Sequence, residues 1–227
     1  MRGVYLYNKL KKRNISHGIS STFLDLAKQN FDIQIYQSEP LIMTVDHVFT
    51  AQQCNEFIDF SHQFDYEVAQ ITINSKQGQT ALRTDIRNNQ RVIYDDQQFA
   101  ERIFNQVKNY LPEALFEWHV SGLNERFRFY LYEDGQMFKP HYDGNYEVND
   151  WHSSQLTLLI YLSEDFEGGE TNFFNQTRHA PTFSIKPKIG QILIFEHRQM
   201  HSGAPVISGR KYVLRTDVMY KHPVFAR

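Results

Sequence analysis

The sequence predicts a mainly β fold of the α+β class, a double-stranded β-helix (jelly roll) with supporting helices on one sheet. Two observations predict it. The second half of the chain contains several short runs of alternating apolar and polar residues, separated by Gly and Pro turn signals. The first half carries two helical patterns instead. An order of helices first and strands later favours helices that pack on one face of a sheet.

The length of 227 residues and a hydrophobic fraction of 41% are sufficient for one well-buried domain. We expect an N-terminal extension over residues 1–38 and a single domain over 39–227, with the jelly-roll core at about 124–220. The 24 basic and 26 acidic residues nearly balance. We therefore expect neither nucleic acid nor a membrane as a partner.

The segment from Thr50 to Gln53 has the form of a capping box and predicts a helix over about 50–62. A second helix is expected to begin after Asp95 or Asp96, because apolar residues recur every three to four positions from Phe99 onward. Strands are predicted at 127–132, 155–162, 171–174, 191–195 and 211–220.

Cys54 is the single cysteine, so a disulfide within the chain and a zinc site of several cysteines are excluded. We expect Cys54 to lie buried in the first helix as a small apolar residue. The sequence shows neither a secretory signal nor a stretch of membrane-spanning length, and we expect a cytoplasmic protein.

Two histidines and one carboxylate predict a metal site. His141 and Asp143 are two positions apart, so a strand would present both on one side, and His201 follows sixty residues later. Two histidines and a carboxylate can bind one face of iron(II) and leave three coordination positions open. His197 is the rival of His201, but it lies in a charged loop. The expectation for His119, His152, His179, His197 and His222 is that each is a surface or hydrogen-bonded polar residue.

A basic pair begins the last predicted strand. Arg210 and Lys211 follow Gly209, and alternation places Lys211 and Arg215 on one face and Arg210 on the other. A dicarboxylate that binds iron through a 2-oxo acid group has a distal carboxylate, which needs a buried cation. One of the two basic side chains should therefore point into the core.

Three stretches resemble the iron(II)- and 2-oxoglutarate-dependent dioxygenases of the prolyl 4-hydroxylase type. They are 132–143, which reads YEDGQMFKPHYD, then 158–171 and 187–211. The resemblance covers about 124–220. It implies that His141, Asp143 and His201 bind iron(II), with 2-oxoglutarate and O2 as cosubstrates, and it allows ascorbate as a further cofactor.

The same resemblance assigns the 2-oxoglutarate residues. Lys211 matches the cation for the distal carboxylate in the collagen-type enzymes, whereas the oxygen-sensing type would favour Arg210. We prefer Lys211, because the loop at 202–209 resembles the collagen-type loop in length. Tyr132 matches a tyrosine near the oxo-acid end and Tyr161 one near the distal carboxylate, although both also fit as core aromatic residues.

One position departs from the family pattern. Asp217 stands where these hydroxylases commonly have a tryptophan. A charge there would change the wall of the pocket, so proline as the target stays open.

The implied function is hydroxylation of a C–H bond, coupled to decarboxylation of 2-oxoglutarate to succinate and CO2. The expected substrate is a prolyl or other residue of a polypeptide, or alternatively a small molecule. We expect a polar lid over the iron and a facing wall, a cluster that fits an anionic or a polypeptide target equally. The candidate substrate residues are Arg83, Arg87 and Arg91 in the lid, and Asn145 and Trp151 in the wall.

Two alternatives from other classes stay open. The first is a cupin-like isomerase or binding module that holds zinc or manganese, which would need neither Lys211 nor Arg210. The second is a non-catalytic jelly roll that binds a peptide in its groove, although such a protein would have no use for three metal ligands.

Overall fold

The computed structural model describes residues 32–74, 79–175 and 180–223. Most of these residues form strands, with two α-helices before the jelly-roll core. The helices are α1 (Ala51–Ser61) and α2 (Gln97–Val107), and a 3-10 turn (Lys108–Tyr110) follows α2. The strands in chain order are β1 (Ile33–Ser38), β2 (Leu41–Val45), β3 (Glu67–Val68), β4 (Ile71–Asn74), β5 (Gln79–Ala81), β6 (Gln90–Asp95), β7 (Ala114–Leu115), β8 (Trp118–Leu123), β9 (Arg126–Tyr132), β10 (Phe138–His141), β11 (Glu147–Asn149), β12 (His152–Tyr161), β13 (Phe166–Gly168), β14 (Thr171–Phe173), β15 (Phe183–Ile185), β16 (Ile192–Glu196), β17 (His201–Gly203), β18 (Val206–Gly209) and β19 (Lys211–Lys221).

Two facing sheets make the predicted jelly roll. The large sheet has the order β1-β2-β16-β12-β19-β9-β6-β3, and the small sheet has the order β10-β17-β14-β15. From β9 onward the chain passes back and forth between them, so that the four central strands of the large sheet face the four strands of the small one. This is the double-stranded β-helix that the sequence predicts.

The helices lie on the outer face of the large sheet, where they cover an apolar core. This core contains Cys54 from α1, Phe99 and Ile103 from α2, and Phe127 and Leu214 from the sheet. The capping box at the start of α1 is confirmed: the Gln53 amide donates to Thr50 Oγ1 at 3.2 Å, and the Thr50 amide donates to Gln53 Oε1 at 2.9 Å. Asp96 caps α2 by accepting from the Phe99 amide at 2.8 Å.

A second core fills the space between the two sheets. Tyr132, Tyr161, Phe173, Phe195 and Val213 are among its buried members. Because side chains alternate along a strand, each long strand of the large sheet contributes to the helix-facing core with one set of residues and to this interior with the other. The interior is where the candidate site lies.

The structure differs from the sequence prediction at the N-terminal boundary. The predicted extension covered 1–38, but Ile33–Ser38 is the edge strand of the large sheet and pairs with β2. Its half-buried Ile33 and Ile35 pack on the helix-facing core, which explains why this part belongs to the domain. Residues 1–31 lie outside the described residues. Among the helices described, none is long and apolar enough to cross a membrane.

Candidate active site

His141 and His201 face each other across two strands of the small sheet. They are direct partners in the antiparallel pairing of β10 with β17, and their ring centroids are 4.3 Å apart. A bulge between Phe138 and His141 adds one residue to β10 just before the site. Bulges of this kind redirect side chains next to functional sites. Asp143 follows two residues beyond β10 and is held by its amide, which donates to the His197 carbonyl at 3.1 Å.

The three predicted ligands therefore converge. Their ligand atoms all lie within 4.8 Å of one another. Asp143 Oδ1 is 3.9 Å from His141 Nε2, and Asp143 Oδ2 is 3.6 Å from His201 Nε2. The donor set, two imidazole nitrogens and one carboxylate on one side of a common point, fits iron(II) with open positions.

Both histidines are oriented as metal ligands usually are. His141 Nδ1 lies 2.8 Å from the Lys139 carbonyl, and His201 Nδ1 lies 3.0 Å from the Gln199 carbonyl. An Nδ1–H that donates to a carbonyl leaves the Nε2 lone pair free for a metal. Burial lowers the pKa of His201 and brings that of His141 well below its ordinary value. Both rings are therefore neutral at pH 7, which metal binding requires.

Asp143 is held on both oxygens. Thr157 Oγ1 donates to its Oδ2 at 2.7 Å, and Arg215 Nη2 forms an ion pair with its Oδ1 at 3.1 Å. Burial raises the pKa of this carboxyl group, but the Arg215 guanidinium and the two histidines outweigh burial and keep the pKa below its ordinary value. Asp143 is thus an anion with a fixed orientation.

A chain of hydrogen bonds that runs from Ser154 through His197 and Thr157 holds Asp143 in place. His197 lies between Ser154 Oγ, 2.8 Å from its Nε2, and Thr157 Oγ1, 2.9 Å from its Nδ1. The hydrogen bonds are all satisfied when Ser154 donates to His197, His197 donates to Thr157, and Thr157 donates to Asp143. Of the two outcomes expected for His197, a surface residue or a hydrogen-bonded polar residue, the structure shows the second: its side chain is buried and hydrogen-bonded to two residues of β12.

Asp217 is buried with its charge balanced. Arg215 Nη2 lies 3.1 Å from Asp217 Oδ1, and Arg128 Nη1 lies 3.8 Å from Asp217 Oδ2. Asn124 Nδ2 donates to Asp217 Oδ2 at 3.2 Å. Asp217 therefore forms an ion pair with Arg215, which also contacts Asp143, and this pair is the change that Asp217 makes to the pocket wall.

Lys211 occupies the far end of the interior. Its side chain is buried, and its Nζ donates to the Gly169 carbonyl at 2.5 Å. The same Nζ lies 5.2 Å from the ring centroid of Tyr132 and 5.8 Å from that of Tyr161. Tyr161 is fixed by a 2.7 Å hydrogen bond to Thr171 Oγ1. Burial lowers the pKa of Lys211 to about 7.

Arg210 points the other way. Its side chain is exposed and pairs with Glu133 Oε1 at 3.1 Å. The structure therefore places Lys211, and not Arg210, in the interior, as strand alternation and the preferred register predict. Gly169 makes room for this arrangement: its φ is +67°, and a Cβ there would approach the Lys211 side chain to 3.2 Å.

Comparison with known proteins accounts for this combination of fold and residues. A sequence model described as the 2OG-Fe(II) oxygenase superfamily matches residues 127–216, a range that contains the three metal ligands and Lys211. Residues 127–216 are therefore similar to a 2OG-Fe(II) oxygenase domain. The chain is prolyl 4-hydroxylase-like, in that the curated proteins that it matches are named prolyl 4-hydroxylases.

Two relatives from Arabidopsis thaliana illustrate the similarity. The chain is 32% identical to "Probable prolyl 4-hydroxylase 3" over 109 residues, which are 36% of this chain and 37% of the relative. It is 22% identical to "Prolyl 4-hydroxylase 1" over 233 aligned positions, which cover 93% of this chain and 81% of the relative. The more similar match thus spans little more than a third of the relative, whereas the more distant one spans most of it.

Solved structures show the same fold. The chain superimposes on a prolyl-4-hydroxylase from Pseudomonas putida with a TM-score of 0.59 and 15% identity, covering 86% of this chain and 98% of that one. A prolyl hydroxylase from Trichoplax adhaerens, solved with a peptide of hypoxia inducible factor, gives 0.61 and 12%, covering 88% and 91%.

Of the five residues predicted to contact substrate, Arg87 enters the interior of the jelly roll. A β-bridge pairs it with Phe138, next to the bulge of β10. Its guanidinium carbon lies 4.7 Å from the ring centroid of Tyr130 and 4.5 Å from that of Phe138. Phe138 in turn stacks on His141 with centroids 3.5 Å apart. Arg87 is thus one aromatic ring away from a metal ligand.

Three of the other predicted residues do not reach the metal ligands. Arg83 is exposed and pairs with Asp85 at 2.8 Å, and exposed Asn145 donates to Glu147 at 2.7 Å. Trp151 immediately precedes β12 and lies six residues before Thr157, which is about 20 Å along an extended chain at a rise of about 3.3 Å per residue. Arg91 is intermediate: it shares a face with Tyr130, but its Nη1 turns to the Gln70 carbonyl at 3.4 Å. The structure therefore does not bring Arg83, Asn145 and Trp151 together with the metal ligands, and their contact with substrate stays a prediction.

Several residues at the site were not predicted. Arg128 and Tyr130 share the inner face of β9 with Tyr132, and Arg215 shares the inner face of β19 with Lys211. The period-2 pattern carried this information, because it places each of them on the same side as a residue already assigned to the site. Thr157 carried the same signal, because it lies four residues before Tyr161 on β12.

An open cleft of about 640 Å³ is lined by Tyr142, which lies between His141 and Asp143 in sequence, and by Met200, which precedes His201. Its further walls include Gln37, Pro40, Phe174, Asn175 and Arg198. The three metal ligands themselves do not line this cleft.

Proposed function

We propose that this protein is an iron(II)- and 2-oxoglutarate-dependent hydroxylase. The observation that supports it best is the placement of two units on one interior surface. His141, Asp143 and His201 converge at one end, and Lys211 lies buried at the other. A metal module without 2-oxoglutarate would have no use for a buried lysine aligned with the metal ligands.

Each unit has a defined task. The three ligands would hold the metal on one side, and Thr157 and Arg215 would keep the Asp143 carboxylate in place. Lys211 would bind the distal carboxylate of 2-oxoglutarate, with Tyr161 beside it and Tyr132 nearer the metal. When bound, iron(II) supplies the oxygen chemistry that couples hydroxylation of a C–H bond to conversion of 2-oxoglutarate and O2 into succinate and CO2.

The buried setting contributes to this chemistry. The apolar and aromatic interior excludes water from the cosubstrate, and charged groups attract each other more strongly there than in water. Neutral His141 and His201 can bind the metal without first losing a proton. These residues therefore position the metal and the cosubstrate and keep water away from them, and none of them has to act as a general base.

For the substrate we favour a residue of a polypeptide. The relatives carry the name prolyl 4-hydroxylase, and one structural neighbour was solved with a peptide. An open cleft of about 640 Å³, lined in part by Tyr142, is a candidate place for a chain segment. A small molecule is the second candidate, and it is supported by the arginines described below.

The proposal is tested by adding iron(II) and 2-oxoglutarate to the metal-free protein without oxygen. We expect a visible charge-transfer band from a chelated 2-oxo acid, and succinate formation once air is admitted with a substrate. His201→Ala should abolish metal binding. Lys211→Ala should weaken 2-oxoglutarate binding and spare metal binding, whereas Arg210→Ala, the matched exposed control, should change neither.

Two results would count against the proposal. A folded protein that binds zinc or manganese but no 2-oxoglutarate would favour the cupin-like alternative. A folded protein that binds a peptide but no metal would favour the non-catalytic module.

A further inference from the structure

Four arginines gather on the inner face beside the metal ligands. Arg215 of β19 pairs directly with Arg128 of β9, and the next residue of β9 on that face is Tyr130. Arg91 of β6 pairs with Tyr130 from the other side, and Arg87 lies over the Tyr130 ring. The arginines thus surround one tyrosine at the end of the interior where a substrate would approach the metal.

Three of these guanidinium groups carry buried N–H groups without an acceptor. Among the residues that the structure describes, the orphaned atoms are Arg87 Nη2, Arg128 Nη1 and Arg215 Nε. Arg87 is 5% exposed, and its Nε donates a hydrogen bond to Asn89 Oδ1 at 2.7 Å, which leaves Nη2 without an acceptor. A buried donor left unpaired costs about 1–3 kcal/mol, and more when the group is charged. Three such donors around one ring therefore point to an acceptor that the protein itself does not provide.

The charges nearby do not balance. The four arginines face three carboxylates, Asp143 and Asp217 beside Arg215 and Glu67 opposite Arg91, and Asp143 is also the predicted metal ligand. Burial alone would raise the pKa of Tyr130, yet Arg87, Arg215 and Arg128 lower it to about 8. At pH 7 the phenol is still largely protonated, so it does not neutralise the cluster. The cluster retains positive charge.

We propose, on the basis of the function proposed above, that Arg87, Arg128 and Arg215 bind a carboxylate of the substrate next to the metal. A carboxylate has two oxygens that accept several N–H groups, so it can satisfy all three orphaned donors and supply the missing negative charge. A neutral prolyl ring can do neither.

The position of this site restricts where the substrate can react. Arg215 contacts the metal ligand Asp143 directly, and Arg87 contacts Phe138, whose ring stacks on His141. A carboxylate held there lies close to the metal, so the C–H bond that is hydroxylated belongs to an acidic molecule or side chain and lies a few bonds from its carboxylate.

The test uses protein loaded with manganese(II) and 2-oxoglutarate, which fills the cosubstrate site without turnover. Calorimetric titration with acetate is compared with acetamide, its neutral isostere, at low salt because salt screens such binding. We expect saturable binding of acetate and a markedly weaker response to acetamide. Arg87→Gln and Arg128→Gln should each weaken acetate binding about tenfold or more, since a charge-assisted hydrogen bond contributes about 1.5–3 kcal/mol.

Controls separate this site from other effects. Arg83→Gln removes an exposed arginine of the same segment and should leave acetate binding unchanged. Arg215 is not substituted here, because it also holds Asp143. Binding of 2-oxoglutarate to the wild type and to every variant is measured in parallel. If the wild type does not bind 2-oxoglutarate, the proposed function fails. If the wild type binds 2-oxoglutarate but not acetate, only the proposed carboxylate site fails.

The remaining outcomes are equally decisive. Equal binding of acetate and acetamide, or no change in Arg87→Gln and Arg128→Gln, overturns the proposal. Competition between acetate and 2-oxoglutarate also overturns it, because the arginines would then serve the cosubstrate. If inorganic phosphate binds much more tightly than acetate, the arginines form a phosphate site and the carboxylate assignment is overturned. N-acetylglutamate and a blocked peptide with one glutamate then distinguish a free acid from an acidic side chain, and either result supports the site.

Discussion

The two ends of the jelly-roll interior treat buried positive charge in opposite ways. At the end that holds the three metal ligands, Arg215 lies between two carboxylates, Asp143 and Asp217, and is 3.1 Å from each. At the far end, Lys211 forms no ion pair with any carboxylate of the described residues and donates to a backbone carbonyl between two tyrosines. Both cations are on the same face of β19.

The difference indicates what each cation is for. Asp143 and Asp217 outweigh burial and raise the pKa of Arg215, so its charge is stabilised by the folded protein itself. Burial lowers the pKa of Lys211, so the folded protein disfavours that charge until an anion arrives. Arg215 therefore has a structural task in addition to its proposed contact with a substrate carboxylate, whereas Lys211 is suited only to receive a ligand.

The largest expected effect is on stability, from Arg215→Met. This change leaves Asp143 and Asp217 buried without their shared cation, and removal of one partner of a buried pair typically costs about 3–5 kcal/mol. Urea unfolding of the metal-free protein measures it. Arg215→Lys should recover only part of the loss, because an ammonium cannot present the same planar fork to two carboxylates. An unchanged unfolding midpoint for Arg215→Met would show that the pair is not structural.

Lys211→Met should behave in the opposite manner. The ligand-free protein should be as stable as the wild type or slightly more so, because an unfavourable buried charge is removed. Binding of 2-oxoglutarate should weaken about tenfold to a hundredfold, the value of a charge-assisted hydrogen bond. Calorimetry with manganese(II)-loaded protein measures the affinity. A large loss of stability without a loss of affinity would reverse the roles of the two cations.

A smaller effect is expected for Asp217→Asn. Arg215 keeps its contact with Asp143 but loses its second carboxylate, and we expect a loss of about 1–2 kcal/mol, in the range of one hydrogen bond to a charged group. Urea unfolding again provides the measurement, with Asp85→Asn as the exposed ion-pair control, where little change is expected. If Asp217→Asn were as harmful as Arg215→Met, Asp217 and not Arg215 would be the essential member.

The last prediction concerns protons at the Lys211 end. With a pKa of about 7 in the ligand-free protein, Lys211 is largely neutral at pH 8 and should take up close to one proton when 2-oxoglutarate binds. Calorimetry in two buffers of different ionisation enthalpy detects this uptake. Lys211→Arg, which stays charged, should take up none.

The same lysine affects stability with a definite sign. Its pKa in the folded, ligand-free protein lies below the value of 10.5 that it has when unperturbed. Between about pH 7 and 10.5 the unfolded chain binds more protons, so the penalty that this residue imposes is full below about pH 7 and is lost as the pH rises. Lys211→Met should remove this contribution from the pH dependence of unfolding.

Sequence reasoning predicted the large sheet better than the small one. Strands such as β12 and β19 are long enough to show alternation, and capping residues marked α1 and α2. Strands β14, β15 and β17 have three residues each, too few for a period to appear. The pairing of β10 with β17, which joins the metal ligands, therefore had to be inferred from residue types and family resemblance.

Within the site, predictions that relied on alternation were accurate, whereas those that relied on loops were not confirmed. Alternation correctly placed Lys211 inside and Arg210 outside. Arg83 and Trp151 lie in segments without a regular period, where sequence does not determine direction. The burial of His197 also could not be foreseen, since it depends on Ser154 and Thr157 of a distant strand.

The direct pairing of His141 with His201 has a consequence for assembly of the small sheet. These strands are too short to hold their alignment by hydrogen bonds alone, and a slip of one residue turns every side chain to the opposite face. A slipped pair could not present both imidazoles to one ion. Binding of the metal ion would thus favour the correct register of β10 with β17, and it would hold together two segments that are distant in the sequence.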